Sequence, residues 1–220
     1  VHARGSKMAD LNSLIEQVFA GIKREICSGT LLPGQRVNVT AMSERHRCSK
    51  TTLRAALYRL VGEGLLEVHR NEGFYRPLVT DETVRDKYVW NKSIFMMGLN
   101  ASNLKPTATH PQPAFEPSAD PVGDIERFFT LVVEQTDNSV IVREMQRLND
   151  HLHPLRMLKG GLPLDLEGEL TEFAKAWAAG DVGALKQLIQ DYTQRRLDIV
   201  PQIVSMAYRP SSSSKTASRS

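Results

Sequence analysis

The sequence has little of what marks several classes of protein. It holds only two cysteines, Cys27 and Cys48, which form neither a CxxC pair nor a disulfide framework. It has no run of about 18 apolar residues, so no membrane-spanning helix is predicted. Its start lacks an apolar signal segment, and we expect Met8 to be the native start and residues 1–7 to be added sequence. These absences favour a reducing, cytoplasmic setting.

Sequence patterns of catalysis are also missing. There is no G-x-S-x-G, no P-loop and no Cys–His nucleophile pair. A metalloenzyme is the alternative, and its candidate residues are His151, His153, Asp124, Asp150 and Glu169. A metal site usually needs three or more converging ligands, and histidines two apart on a helix point to different faces. We therefore predict no enzyme, no metal and no cofactor.

Charge is unevenly distributed along the chain, although the total is only +3. Residues 9–78 contain ten Lys and Arg against seven Asp and Glu, whereas residues 79–208 contain thirteen against eighteen. A mildly basic part followed by an acidic part is typical of a protein that binds a polyanion and has a separate second domain.

The N-terminal part alternates helical spacing with turn residues. Apolar residues from Leu11 recur at helical intervals and predict a first helix. Pro33-Gly34 then predicts a turn, and a short second helix follows over about residues 40–47, with Asn38 or Thr40 as its cap. The first part of the chain is therefore predicted to be helical.

A third helix and a hairpin complete this part. Ser49 is the predicted cap of the third helix, whose apolar stripe consists of Leu53, Ala56, Leu57, Leu60 and Val61. The segments "LLEVHR" and "FYRPLV" flank Asn71-Glu72-Gly73, where a glycine suits the positive φ of a tight turn. Helix, helix, turn, helix and hairpin in this order predict a winged helix-turn-helix.

The start of the third helix carries the residue types that a helix in the major groove needs. Short hydroxyl side chains and long cations there can reach phosphates and base edges, and the helix N-terminus favours anions. The candidate contacts in this helix are Ser49, Lys50, Thr51, Thr52 and Arg54, and Arg36 is a further DNA-contact candidate. In the wing the candidates are His69, Arg70, Asn71 and Arg76.

The segments "GIKREICSGTLLPGQRV" and "CSKTTLRAALYRLVGEGLLEVHRNEGF" resemble the DNA-binding domain of the GntR family of transcription regulators. The resemblance spans about residues 11–78. It implies that Lys50, Thr51, Thr52 and Arg54 contact DNA, and it places wing contacts at Arg70 and Asn71. The chain departs from the family at Thr40, where relatives often have a DNA-contacting arginine.

The rest of the chain is predicted to be all-α, so the fold class is mainly α, with a helical bundle after the winged helix-turn-helix. Helical spacing predicts helices over about 81–100, 122–136, 139–158, 166–179 and 182–207. Five prolines in residues 101–121 predict a loop or an extended crossover. The predicted domains are 9–78 for DNA binding, 79–208 for effector binding and dimerisation, and 209–220 as a disordered tail.

The segments "RFFTLVVEQTDNSVI" and "FAKAWAAGDVGALKQLIQDY" resemble the helical, FCD-type effector domain of the FadR-like branch of the GntR family. Many such relatives bind a divalent metal through an aspartate and three histidines. This chain has Ile125, Phe129, Leu170 and Tyr192 at those positions. The resemblance therefore implies a pocket without a metal.

Arg196 interrupts an apolar stripe on the last predicted helix, four residues after Tyr192. A buried guanidinium needs a partner, and two kinds are open. Arg196 either reaches the surface or pairs with an acidic residue of a neighbouring helix, or it binds the carboxylate of an acidic metabolite with help from Tyr192, Asn149 or Arg156.

Together these observations predict a homodimeric, sequence-specific transcription regulator. Its partners would be a double-stranded DNA operator and a small organic acid that controls operator affinity. A DNA-binding protein whose C-terminal domain only dimerises is the main alternative.

Overall fold

The computed structural model describes residues 2–101, 114–158 and 162–209, with side chains from residue 12 onward. The chain divides into two compact units, one from Val1 to Val79 that takes in the chain from Ala207 onward, and one from Thr80 to Met206. Most of the loop predicted over 101–121, and all but Arg209 of the predicted tail, lie outside the described residues. No helix in the described ranges is long and apolar enough to cross a bilayer.

The first unit is a winged helix-turn-helix with its elements in the predicted order. They are α1 (His2–Cys27), α2 (Val39–Arg45), α3 (Lys50–Gly62), β1 (Glu67–His69) and β2 (Gly73–Tyr75). The two strands are antiparallel, with Val68 opposite Phe74. Asn38 caps α2 by accepting from the Ala41 amide at 3.0 Å, so Asn38 and not Thr40 is the cap.

One apolar core fixes the orientation of α3. Its predicted stripe is buried, with Leu53, Ala56, Leu57 and Leu60 fully excluded from solvent, and Val61 is only partly buried. These side chains pack in one cluster that also contains residues of α1 and β2. Burial of each large aliphatic side chain contributes about 1.5–3 kcal/mol. The stripe faces the core, so the opposite face of α3 is turned outward.

The second unit is a bundle of helices. They are α4 (Asp81–Ala101), α5 (Pro121–Glu134), α6 (Ser139–Arg156), α7 (Leu166–Ala178), α8 (Val182–Leu197) and α9 (Val200–Ala207). A short acidic or amide side chain caps four of these helices by accepting from backbone amides of the first turn; the caps are Asp120, Asn138, Asp165 and Asp181. Each cap satisfies an amide that the helix itself leaves unpaired.

The last predicted helix, over residues 182–207, is two helices in the structure, so the prediction of a single helix was wrong. The first ends at Leu197 and the second begins at Val200. Pro201 explains the break, because it has no N–H to donate to the carbonyl of Leu197 and its ring would clash there. Proline is tolerated in the first turn of the new helix.

Aromatic rings fill the centre of the second unit. We call this group the aromatic cluster; its members are Phe95, Phe128, Phe129, Phe173, Trp177 and Tyr192, none more than 1% exposed. The ring of Phe129 lies 5.1 Å from that of Phe95 and 5.3 Å from that of Tyr192, both edge to face. Edge-to-face pairs add about 0.5–1.5 kcal/mol each beyond the area that they bury.

Candidate nucleic-acid interface and ligand cavity

The outward face of α3 presents a row of polar side chains. Lys50, Thr51, Arg54 and Tyr58 are all exposed, and their spacing places them on the side away from the core. Tyr58 is 60% exposed, although its ring contacts that of Phe74, with 5.0 Å between the ring centroids. This face is therefore both basic and partly aromatic.

Two of the predicted contacts, Ser49 and Thr52, are hydrogen-bonded to each other at the start of the helix. Ser49 accepts a hydrogen bond from the Thr52 amide at 3.0 Å, and the two hydroxyl oxygens lie 2.9 Å apart. Thr52 is only 6% exposed. Lys50 and Thr51 are thus presented by a capped helix end, where the helix dipole favours an anion.

The wing is a tight turn with two residues in the left-handed region. Asn71 has φ 64° and Gly73 has φ 105°, so the positive φ predicted at Gly73 is confirmed. The Glu72 amide donates to the carbonyl of His69 at 3.0 Å and closes the turn. Arg70 and Asn71 are both exposed at its tip.

His69 is held within the wing. Its ring stacks on Tyr75 at 4.4 Å with an interplanar angle of 17°, and its Nε2 lies 2.8 Å from Oε1 of Glu67. The stacked and hydrogen-bonded histidine stiffens the hairpin that presents Arg70.

The loop before α2 joins the wing. Arg36 forms an isolated antiparallel bridge with Tyr75, and the amide of Val37 donates to the carbonyl of Phe74 at 2.8 Å. A Cβ built on Gly73 would lie 3.7 Å from Nε of Arg36, so this guanidinium lies beside the wing turn. Backbone pairing thus brings Arg36 next to residues more than 30 positions away.

A groove of about 890 Å³ runs between the start of α2, α3 and the wing. Four predicted contacts line it together; they are Arg36, Arg54, His69 and Asn71. Lining residues that were not predicted as DNA contacts include Asn38, Tyr58, Val68 and Glu72. Tyr58 could have been found from its position, because it follows Arg54 by four residues on the same helix face.

Arg76 corrects one expectation about the wing. It is 6% exposed, and its Nη1 donates to the carbonyl of Leu31. Burial lowers the pKa of Arg76 from its ordinary value. Arg76 therefore anchors the strand to the loop before α2 and has no surface to offer a DNA backbone.

In the second unit Arg196 has a carboxylate partner from the chain itself. Glu169 receives Nη1 at 2.9 Å and Nη2 at 2.5 Å, and the guanidinium lies 3.4 Å from the ring centre of Tyr192. Burial alone would lower the pKa of Arg196, but the Tyr192 and Glu169 groups outweigh it and raise the pKa. Of the alternatives for Arg196, the structure has the ion pair with an acidic residue of a neighbouring helix.

The other three candidates form one buried network. Arg156 donates from Nε to the Tyr192 hydroxyl at 3.1 Å, and from Nη1 to Oε1 of Glu126 and Oδ1 of Asn149, both at 3.0 Å. Its side chain is 1% exposed. Burial opposes the charge of Arg156, but Tyr192 and Glu126 outweigh it and raise the pKa. Glu126 is the member of this network that the sequence did not single out.

The positions aligned with metal ligands of relatives belong to the packed interior. Ile125, Phe129 and Tyr192 are fully buried, and Leu170 is 3% exposed. Phe129 and Tyr192 are members of the aromatic cluster, so packed hydrocarbon takes the space of a metal site.

The residues of the metalloenzyme alternative do not converge. Asp124 binds Ser118 and Arg127, whereas Glu169 pairs with Arg196 and His153 lies 3.0 Å from Glu126. In the part of the chain that the structure describes, no three His, Cys, Asp or Glu side chains are grouped as metal ligands would be.

The geometry of the first unit defines the class of winged helix-turn-helix domains, and comparison with known proteins names the family. The family model described as "Bacterial regulatory proteins, gntR family" matches residues 14–75. Residues 14–75 of the N-terminal unit are therefore similar to the helix-turn-helix domain of the GntR family.

Two curated relatives match part of the chain. The chain is 30% identical over 79 residues to the uncharacterized HTH-type transcriptional regulator BphR of Paraburkholderia xenovorans (strain LB400), which is 36% of this chain and 32% of that protein. It is 38% identical over 56 residues to the Nta operon transcriptional regulator of Aminobacter aminovorans, which is 26% of this chain and 27% of that protein. The match thus spans between about a quarter and a third of each relative, and both relatives are described as regulators.

Solved structures extend the likeness in fold beyond the first unit. A crystal structure from Rhodococcus sp. RHA1, described as a candidate transcriptional regulator GntR, has a TM-score of 0.66 and 19% identity over 90% of this chain and 100% of its own. The structure of E. coli McbR/YncC has a TM-score of 0.58 and 17% identity over 86% and 97% of the two chains. At these identities the likeness concerns the fold alone.

Proposed function

We propose that this chain is a transcription regulator that binds a DNA operator through α3 and the wing and responds to a small organic acid bound by the second unit. The carrying observation is the outward surface of the first unit. There Arg36 and Arg54 line the groove between α3 and the wing. Lys50 at the capped end of α3 and Arg70 at the wing tip are exposed on the same two elements.

Each part of that surface has a role in this proposal. The N-terminal end of α3 enters the major groove, where Lys50 and Arg54 reach guanine acceptors or phosphates. Arg70 and Asn71 contact the backbone or the minor groove from the wing, and Arg36 binds a phosphate beside it. Two copies related by a two-fold axis would read half-sites about one helical turn apart, and we propose a cytoplasmic homodimer for this reason.

The second unit is the proposed sensor. In its buried network of Asn149, Arg156 and Tyr192, Nη1 of Arg156 pairs with Glu126, but Nη2 is left as a charged donor for a carboxylate. Both terminal nitrogens of Arg196, in contrast, are bonded to Glu169. The alternative is a second unit that only dimerises, and a thermal-shift screen with organic acids separates the two. A ligand that binds only the folded protein raises its melting temperature.

The DNA-binding role is tested with a matched pair of arginines on α3. Fluorescence anisotropy with the DNA upstream of the gene compares the wild type with Arg54→Ala and Arg59→Ala. Arg54 lines the groove, whereas Arg59 bonds Glu16 at 2.5 Å and lies 4.4 Å from the Phe19 ring on another face. We expect Arg54→Ala to weaken specific binding by about 1–3 kcal/mol and Arg59→Ala to change it little.

Two outcomes would contradict this proposal. If no sequence-specific complex forms at moderate salt, the regulator proposal is wrong. If a complex forms but the two variants bind equally well, α3 does not enter the groove in the way proposed.

A further inference from the structure

A second concave site lies in the helical unit, and no member of the aromatic cluster lines it. This cavity has a volume of about 480 Å³, a size typical of small-molecule sites. Its polar lining includes Tyr88, Arg156 and Arg196, each with a side chain at most 2% exposed. Its apolar lining includes Val122, Leu155, Leu158, Leu162, Leu164 and Leu166. The cavity therefore joins a hydrocarbon surface to buried cations.

One donor of Arg156 is left over. Nε and Nη1 are bonded to Tyr192, Glu126 and Asn149, none of which lines the cavity. Nη2 is buried and has no hydrogen-bond partner among the described residues. A buried donor of a charged group is destabilising when it has no acceptor, and the described residues supply none for Nη2.

Two helix starts add positive potential at the same place. The first residues of α5 and of α7, Pro121 and Leu166, both line the cavity. Helix N-termini favour negative charge. The capping carboxylates of Asp120 and Asp165 also lie there, and each already accepts a backbone amide, at 3.1 Å and 2.9 Å.

The acidic neighbours limit how much negative charge a ligand can carry. Besides the two capping residues, Glu167 lines the cavity, and Arg196 is neutralised by Glu169. Arg156 already pairs with Glu126 through Nη1, so one anionic group can be bonded, at Nη2. A second would stand against leucines and carboxylates without a partner.

We propose that this cavity binds a monocarboxylate with an apolar body. One carboxylate oxygen accepts from Nη2 of Arg156, and the hydrocarbon part packs against the leucines of the α6 end and the α7 start. This inference rests on the proposed function, because it names the class of effector and its place. The cavity adjoins Tyr192 through Arg156, but none of the four positions aligned with metal ligands of relatives lines it.

The binding test uses the full-length protein without DNA. Thermal unfolding is followed with hexanoate, octanoate, benzoate and phenylacetate, with their primary amides, and with succinate. At saturation we expect at least one monocarboxylate to raise Tm by about 3 °C or more. The matching amide and succinate should have little effect, because the amide lacks the charge and succinate carries an unpaired second carboxylate.

Two variants place the binding site. Leu164→Trp fills the proposed cavity, whereas Leu131→Trp fills a second cavity, also of about 480 Å³, between α5 and α6. We expect Leu164→Trp to abolish the Tm shift and Leu131→Trp to keep it. Arg156→Lys retains the charge but removes Nη2. It should lower the affinity for the acid at least tenfold in calorimetric titration.

The outcomes separate this inference from the regulator proposal. If no monocarboxylate in the panel protects the protein, if the amides protect equally, or if Leu164→Trp keeps the shift, the site is overturned even when operator binding is intact. If an acid binds as described but operator affinity is unchanged with and without it, the site stands and the effector part of the proposed function fails.

Discussion

At the scale of single residues, Glu169 determines whether the end of α8 is electrostatically satisfied. It receives both terminal nitrogens of the buried Arg196 and also Nε of Arg195 at 2.7 Å. Removing one member of a buried ion pair leaves an uncompensated charge, which costs more than the pair itself contributes.

We therefore expect Glu169→Gln to lower the free energy of unfolding by about 3–5 kcal/mol. The matched control is Glu172→Gln on the same helix. Glu172 pairs with Lys175 at 2.8 Å, but both side chains are more than half exposed, so the loss should be under about 1 kcal/mol. Denaturant unfolding of both variants measures the difference. Equal losses of unfolding free energy would show that the buried pair stabilises the fold no more than the exposed pair does.

His153 makes the stability of the second unit dependent on pH. Its hydrogen bond to Glu126, opposed by burial, raises the pKa of His153 above its ordinary value. The folded protein therefore holds this proton more tightly than the unfolded chain does. The stabilisation is complete below about pH 6.5 and is lost as pH rises through the folded-state pKa.

We predict that the free energy of unfolding of the wild type falls as the pH rises above about 6.5, and that His153→Gln flattens this part of the profile. Asp124 does not contribute to this slope. Burial would raise the pKa of Asp124, but its bonds to Arg127 and Ser118 outweigh burial and lower the pKa. Its effect on the free energy of unfolding therefore appears only at acidic pH. An unchanged slope in the variant would mean that another group causes the pH dependence.

At the scale of elements, a turn before α2 fixes the loop that carries Arg36. The Gln35 amide donates to the Leu32 carbonyl at 3.0 Å, with Pro33 and Gly34 at the centre of the turn. Gly34 has φ 74°, and a Cβ there would lie 2.9 Å from the Leu78 side chain. Proline then a glycine of positive φ is the pattern of a type II turn.

Gly34→Ala should therefore lower the free energy of unfolding by about 1–2 kcal/mol, the cost of a left-handed conformation for a residue with a Cβ. Gly62→Ala is the control, since Gly62 ends α3 with no atom within 4 Å of the added Cβ and no positive φ. That change should be neutral or stabilise by up to about 1 kcal/mol. Thermal and denaturant unfolding distinguish the two, and a neutral Gly34→Ala would contradict the assigned turn.

Features with local causes were the ones that could be predicted from the sequence. The Ser49 cap, the Pro33-Gly34 turn and the buried stripe of α3 each depend on residues within a few positions, and each is present. The break before α9 was also local, but the weight of Pro201 was overlooked. Fold class followed from these elements, because their order admits few topologies.

Features with distant causes could not be predicted in the same way. Arg36 lies by the wing because its backbone pairs with Tyr75, and Arg76 is buried because it reaches the carbonyl of Leu31. Arg196 meets Glu169, 27 residues away, through the packing of α7 against α8. Periodicity shows that a side chain faces inward, but it does not name the group that faces it.

At the scale of the whole molecule, charge and symmetry together set the strength of DNA binding. Residues 79–208 have thirteen Lys and Arg against eighteen Asp and Glu, so attraction to phosphates must come from the first unit. A single winged helix has few cations for this task. A two-fold pair doubles them and raises affinity through effective concentration, which is why we propose a homodimer.

The salt dependence of operator binding tests this proposal. Four exposed cations lie on the proposed DNA-facing surface of each protomer, namely Arg36, Lys50, Arg54 and Arg70. If each neutralises one phosphate, the slope of log K against log salt is about −3.6 for one protomer and about −7 for two. Anisotropy between about 50 and 200 mM salt measures this slope, and sedimentation at the same protein concentration measures the oligomeric state.

The change in salt slope caused by Lys50→Ala then shows how many protomers bind the DNA. In a homodimer one substitution removes two phosphate contacts, so the slope should become shallower by about 1.8, whereas a bound monomer loses about 0.9. Arg59→Ala is the control, because its guanidinium is engaged with Glu16 and Phe19, and it should leave the slope unchanged. A wild-type slope near −3.6 that Lys50→Ala changes by only about 0.9, together with a monomer in sedimentation, would contradict the homodimer.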